Sequence, residues 1–317
     1  MKICVISFDF WQYDAHIVEE LRRKGIEAHH LNIGAYQHKN LSARIENTFS
    51  KVILKRNLKN ELRQKIMLEN LQNLGMQDQI LVINPELIDR KFHEEIRKFT
   101  PEYIAYLYDS LARCPAEHLF DLFDEVFSFD RSDAEKHQFK LITNYNYLPE
   151  SKVAEKSQFD LVYLASFDNR RNVVDQILQK MQRLKLTSHI IIVGKKSWKK
   201  KWSLNKSSTI IYKTKRIPHD KIPDYYKKGR VLLDLMRDNQ TGLSFRIFEA
   251  MALKKKIITN NPTIKEFDFY NPENILVLNE EISNLEKSFF EEPYQELSSE
   301  IYNKYTLENW VKTVFNL

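Results

Sequence analysis

Thr241, Gly242, Leu243 and Ser244 stand directly before a helical run that carries Glu249. Residues of these types at this spacing can bind a phosphate and a ribose. The first N–H groups of a helix have no partner within the helix, and the dipole end there is positive. Gly242 lets the backbone come close to an anion. Glu249, further along, can accept hydrogen bonds from two ribose hydroxyls. Together these groups would hold a nucleoside diphosphate. The plainer reading of the same residues is an ordinary helix start with an Arg246–Glu249 pair on its surface.

These residues need a strand–loop–helix–strand frame, and the flanking sequence supplies one. Val231–Met236 is a short apolar run of strand type, followed by the polar loop 237–242. Phe245, Phe248, Met251 and Ala252 share one helical face, with Glu249 at its edge. Ser244 or Thr241 can cap this helix, and Lys254, Lys255 and Lys256 would close its negative end. Ile257-Ile258-Thr259 then starts a strand.

The run TGLSFRIFEAMALKKKIITNN resembles the donor-binding segment of GT-B-fold glycosyltransferases. More narrowly, it is similar to bacterial lipopolysaccharide and capsule enzymes with an "SGL-x-x-R-x-FEAL…KKLITTN" run. Glu249 matches the second Glu of their E-x7-E motif, and Thr241 stands where the first would be. The resemblance implies an α/β fold with two Rossmann-like domains facing a cleft.

Composition fits such a chain. Its 317 residues can form two domains, and 43% of them are hydrophobic. No run approaches the roughly 18 apolar residues that a membrane span needs. The start, MKICVISFDF, is strand-like and is not built as a signal peptide. Cys4 and Cys114 suggest a reducing, cytoplasmic setting. The net charge of +6 suits phosphorylated substrates, anionic lipid or nucleic acid. No G-x-G-x-x-G or Walker-type loop occurs.

The expected domains are 1–150, for the acceptor, and 151–300, for the nucleotide-sugar donor, with a linker between Tyr145 and Gln158. A C-terminal helix in 301–317 would return to the first domain. Strands are expected at Lys2–Phe8, Ile26–Leu31, Ile80–Ile83, Tyr103–Tyr108 and Glu125–Phe129. In the second half they fall at Leu161–Ala165, His189–Val193, Thr209–Tyr212 and Ile275–Leu278. Leu41–Met76 is expected to be helical, with basic residues interleaved among apolar ones, either covering the sheet or lying on an anionic membrane.

Open α/β sheets bind ligands at the carboxyl ends of their strands. Asp9, Tyr13 and Asp14 follow the first strand, and Asp109 leaves the strand at Tyr103–Tyr108. Each is a site candidate or a cap of the following chain, which for Asp109 would be a helix in LARCPAEHLF. The family resemblance makes Asp109 or Asp9 the general base if the reaction inverts; a retaining reaction needs none. It turns the loop with Arg170 and Arg171 toward the donor phosphates, with Lys195 or Lys196 beside them, and places Arg216 and Ile217 at the nucleobase. The donor segment then runs through Gln240, Thr241, Gly242, Leu243 and Ser244 to Glu249.

The expected activity is metal-independent transfer from a nucleotide-sugar, a UDP-sugar first, to a glycan or lipid-linked acceptor in bacterial surface polysaccharide synthesis. No cofactor and no nucleic-acid partner are expected; an anionic membrane surface is, with the protein peripheral at its inner face. A catalytically silent GT-B-like binding or structural protein, a nucleotide-sugar 2-epimerase and a nucleic-acid binder stand as alternatives. An epimerase needs several acids and a His around the sugar, and the sequence displays no such cluster.

Overall fold

Near-continuous apolar runs joined by crossovers of a dozen residues or more make parallel strands buried on both faces. The protein builds two such sheets. A computed structural model describes residues 1–35, 58–151, 157–194, 210–238 and 240–317. Residues 41–57 of the basic segment, Lys195, Lys196 and Asn239 lie outside the described residues.

The chain divides into two compact units, Met1–Thr143 with Leu307–Leu317, and Asn144–Thr306. In the first, β1 (Lys2–Ser7), β2 (Glu27–Asn32), β3 (Gln79–Ile83), β4 (Glu102–Leu107), β5 (Glu125–Ser128) and β6 (Lys140–Leu141) form one sheet. Its order is β2-β1-β3-β4-β5-β6, every pair parallel. Alternation along the strands sends Cys4, Ile6, Ile80, Val82 and Tyr103 to one face. There they meet Met67 and Leu71 of the Leu58–Leu74 helix, and Phe92 and Ile96. This part of the basic segment therefore covers the sheet. The last helix, Leu307–Phe315, lays Trp310 edge-on to Tyr106 at 5.1 Å, and Lys24 meets Glu308 at 3.0 Å.

The second unit repeats the plan with β7 (Phe159–Ser166), β8 (Ser188–Val193), β9 (Ile210–Lys213), β10 (Gly229–Asp234), β11 (Lys256–Thr259) and β12 (Ile275–Val277). The order is β12-β11-β10-β7-β8-β9, again all parallel. Strand order reverses between β1 and β3 and between β7 and β10. Such switch points open a crevice at the carboxyl ends, where ligands of open sheets sit. At Gly194, which follows β8, a Cβ would come within 2.8 Å of Phe167 Cβ, so only glycine lets the two loops pass.

Three expectations change. LARCPAEHLF is no α-helix: a turn leads to a 3-10 stretch at Glu117–Leu122, because Pro115 lacks an N–H and disfavours helix before it. The helix of the opening stretch spans Phe245–Ala252, and Lys254 beyond it takes a left-handed backbone, φ 52°. The three lysines therefore do not cap its last turn. Lys254 pairs with Glu150 and Glu296, Lys255 donates to Lys227 O, and Lys256 begins β11 with Nζ 4.2 Å over Phe289. The unit boundary falls at Thr143, ahead of the expected linker. Asn144 and Asn146 bond into the second unit, to Leu243 O and the Tyr302 hydroxyl. That unit also keeps the Ser299–Lys304 helix, so the return to the first begins at Leu307.

Candidate functional site

β7 and β10 are neighbours, so their carboxyl ends deliver loops 166–171 and 235–244 side by side. Arg170 stitches these loops together. Its guanidinium chelates Asp168, at 2.6 Å for the shortest contact, and donates to Leu235 O at 2.6 Å. Asn169 Nδ2 donates to Asp238 at 2.5 Å, and Arg237 Nε lies 3.8 Å from Asp168. Arg171 starts the following helix, Arg171–Arg183. Its Nε is 3.3 Å from Asp175 and its guanidinium 5.6 Å from the Tyr212 ring centre. Of the two arginines, Arg171 is the one with a buried guanidinium nitrogen, Nη1, lacking an acceptor among the described residues.

Side-chain donors turn the carbonyls of the next loop one after another. Asn261 Nδ2 reaches Thr241 O at 3.1 Å and Gly242 O at 3.4 Å, and Thr263 Oγ1 lies 2.7 Å from Thr241 O. Asn144 Nδ2 donates to Leu243 O at 2.9 Å. In a trans peptide the C=O and the following N–H point in opposite directions. Fixing these three carbonyls therefore points the N–H groups of Gly242, Leu243 and Ser244 each away from the donor on the carbonyl before it. Those N–H groups stand at the positive end of the Phe245–Ala252 helix. Gly242 and Leu243 are buried; Gln240, Thr241 and Ser244 are half-buried.

Ser244 occupies the N-cap position without a side-chain cap bond. Its hydroxyl donates instead to Asp234 at 2.7 Å, and Arg246 Nη1 meets the same carboxylate at 2.6 Å. Arg246 also donates to Leu164 O at 2.6 Å and sits 5.2 Å over the Tyr163 ring. The surface pair of Arg246 with Glu249 is thus replaced by a buried one with Asp234. The strand end draws the guanidinium inward.

Glu249 is 1% exposed. Its Oε1 accepts from the Tyr147 hydroxyl at 2.7 Å, and the Tyr147 ring stacks on His219 at 5.1 Å and 26°. The chain from Asn144 to Ser151 runs along this helix: Tyr145 packs edge-on to Phe245, and Ser151 N donates to Ala252 O. His219 follows Arg216, which is exposed, and Ile217, whose side chain packs on the core.

In the first unit, Asp9 leaves β1 with a left-handed backbone, φ 37°, and its Oδ1 accepts from Asp14 N at 3.1 Å. Asp14 is buried, and Oδ2 finds no donor among the described residues. Burial, then the charge of Asp9, pushes its carboxyl up to about 8. His30 lies 3.0 Å from Ser7 Oγ, and burial lowers its pKa against the pull of Asp9. Glu86 is raised by burial, and the Asp109 charge adds to the rise. Tyr108 is raised too, by burial first and then by Asp14, Asp9, Glu86 and Asp109. The charges of Asp9, Asp14, Glu86 and Asp109 thus all act on Tyr108, and that of Asp9 acts on His30. Asp109 itself is clamped by Arg113 at 2.5 and 2.7 Å.

Residues 158–286 match the family model of glycosyl transferases group 1. No curated protein matches the sequence at a significant level. Among solved structures, an apo lipopolysaccharide outer core galactosyltransferase WaaB is 14% identical with a TM-score of 0.58, covering 100% of this chain and 99% of its own. An α-glucosyltransferase in complex with UDP-glucose and DNA containing an abasic site is 10% identical, with a TM-score of 0.57 and coverage of 100% and 94%. The UDP-GlcNAc 2-epimerase of Methanocaldococcus jannaschii is 15% identical, with a TM-score of 0.56 and full coverage of both chains. The chain has the GT-B fold.

Within this GT-B chain, the sequence reading missed Asn144, Asn261 and Thr263, which set the loop carbonyls, and Asp234, Tyr147 and His219. Asn260 and Asn261, closing the TNN of the resemblance, carried the one available signal. Asn260 Oδ1 accepts from Met236 N at 2.7 Å, so both asparagines brace the loop after β10. Among the described residues no helix is long and apolar enough to cross a membrane.

Proposed function

We propose that this GT-B chain transfers a sugar from a nucleotide-sugar to a glycan or lipid-linked acceptor. One observation carries the reading. Three successive carbonyls at the start of the Glu249 helix are held by side-chain donors, which fixes the peptide N–H groups that follow them. Preorganised N–H groups of this kind stabilise charge that develops on a leaving diphosphate. Arg171 adds a guanidinium, whose fork suits phosphate. Glu249 takes the ribose hydroxyls, and the Arg216–Ile217 stretch lies against the nucleobase. Chain cations neutralise the diphosphate in this reading, without a metal, and a UDP-sugar is the first donor to try. The first unit takes the acceptor. Asp9 is a better base for an inverting route than Asp109, which Arg113 already holds. The basic surface suits an anionic membrane, and surface polysaccharide is the product class that the narrower resemblance favours.

The test is a calorimetric and thermal-shift screen against UDP-, GDP-, ADP- and CMP-sugars, followed by assay of nucleotide release with glycan acceptors. Saturable binding of one donor is the expected result. No binding to any of them would remove the reading. A second reading, sugar epimerisation, draws on Asp9, Asp14, Glu86, Asp109 and His30 around Tyr108. A C2 epimer formed from the donor without acceptor, seen by NMR, would favour it.

A further inference from the structure

A glutamate that is 1% exposed cannot take hydroxyls from a ligand until something uncovers it. The group on its Oε1 is the Tyr147 hydroxyl, at 2.7 Å, while the Tyr147 ring lies nearly parallel to His219, 26° between planes. A ring on an aromatic face with a hydroxyl on a carboxylate is what a bound nucleoside would present. Here a side chain of the protein presents it.

We propose that Tyr147 stands in the nucleoside's place, and that a nucleoside diphosphate binds by displacing it from His219 and Glu249. This rests on the reading of Glu249 as ribose acceptor, and it adds His219 as the face on which the base stacks. The exchange is balanced. A buried carboxylate is costly without a donor, and ribose hydroxyls replace one neutral O–H by others. Stacking on His219 passes from one ring to another.

The backbone around Tyr147 is anchored on both sides, so the side chain can move by itself. Asn144 holds Leu243 O, Asn146 Oδ1 accepts from Leu148 N at 2.9 Å, and Ser151 N holds Ala252 O at 2.9 Å. Tyr147 is half-buried, so rotation outward leads to solvent. Rotamer changes of such side chains are fast compared with binding.

The experiment titrates wild type, Tyr147→Phe, Tyr147→Ala, His219→Ala and Glu249→Ala with UDP, GDP and ADP by calorimetry. Inorganic pyrophosphate serves as a probe without a nucleoside. A side chain occupying a site in about nine molecules of ten lowers apparent affinity about tenfold. Tyr147→Ala is therefore expected to bind the preferred nucleotide up to about tenfold tighter, with Tyr147→Phe between it and wild type. His219→Ala should bind it more weakly, and pyrophosphate affinity should stay level in all. Should Tyr147→Ala fail to fold, Tyr147→Phe carries the comparison. Tyr147 variants that bind as wild type does, or as weakly as Glu249→Ala, overturn the proposal: Tyr147 would then be a bystander or a support for Glu249. Wild type that binds none of the three nucleotides removes the underlying reading as well, a different result from an unfavourable Tyr147 series.

Discussion

Arg246 sets its guanidinium 2.6 Å from Asp234, the last residue of β10, and leaves Glu249, three residues along its own helix, to Tyr147. One ion pair thereby ties the end of a strand to the first turn of the helix that follows the loop. Ser244, on the same Asp234 carboxylate, closes the link. The loop between them, which holds the candidate diphosphate groups, is thus braced at both ends.

Arg246→Ala should therefore act on stability first. Removing one member of a buried pair leaves the other charge uncompensated, at a cost of about 3–5 kcal/mol. Chemical denaturation of the variant is expected to show a loss of this order. A loss within about 0.5 kcal/mol, the range of an ordinary surface substitution, would contradict the buried pairing.

Glu249→Ala should act on binding instead. A hydrogen bond to a charged group contributes about 1.5–3 kcal/mol, so donor affinity is expected to fall about 10- to 100-fold. Glu249→Gln keeps an acceptor and should lose less. Calorimetry on the folded variants decides: unchanged affinity in Glu249→Ala takes the residue out of the site.

The alternation of buried strands with helices was legible because parallel strands are apolar on both faces, as in ICVIS of β1 and VLLD of β10. Glu249 was legible as an edge carboxylate through helical spacing. Its partner was not, since Tyr147 is 102 residues away in sequence. The same holds for Asn144 and Leu243, 99 residues apart. Side-chain bonds to loop carbonyls leave no periodic trace. Local spacing also misled, because an Arg–x–x–Glu pair is visible along a helix while an aspartate at the end of a neighbouring strand is not. Pro115 was a signal within the sequence that should have excluded the LARCPAEHLF helix.

Asn261→Ala removes the amide that turns the Thr241 and Gly242 carbonyls. A net hydrogen bond contributes about 0.5–1.5 kcal/mol to stability, so the fold should survive with a small loss. Affinity for UDP and for pyrophosphate should fall together, by about five- to tenfold, since 1.4 kcal/mol corresponds to a factor of ten. A fall for UDP alone would locate the effect at the nucleoside and not at the diphosphate.

The charges of the basic segment Arg44–Lys65, whose helix from Leu58 on covers the sheet, give an expectation for membranes. Each basic residue near an anionic leaflet contributes on the order of 1 kcal/mol. Sedimentation with anionic vesicles should be salt-sensitive and weakened by Lys55→Glu with Lys59→Glu. Equal binding to neutral and anionic vesicles would count against an electrostatic contact.

Asp14 supplies the pH dependence. Its carboxyl is raised from the ordinary 3.8 to about 8, first by burial and then by the charge of Asp9, against bonds from Ser7 and the Asp9 backbone. Tyr106 of β4 and Tyr108 just beyond it interact with it as neutral phenols, their own pKa raised by burial and by Asp14. Above the unfolded value the unfolded chain releases this proton while the folded chain keeps it. The contribution to stability is therefore full below about pH 4 and is lost as pH rises toward about 8. A single group of this kind gives a slope of up to about 1.4 kcal/mol per pH unit within that window. Asp14→Asn cannot titrate, so its unfolding free energy should change less between pH 5 and pH 7.5 than that of the wild type. Denaturant titrations of both proteins at the two pH values measure the difference, and parallel profiles would show that Asp14 is already ionised in the folded protein.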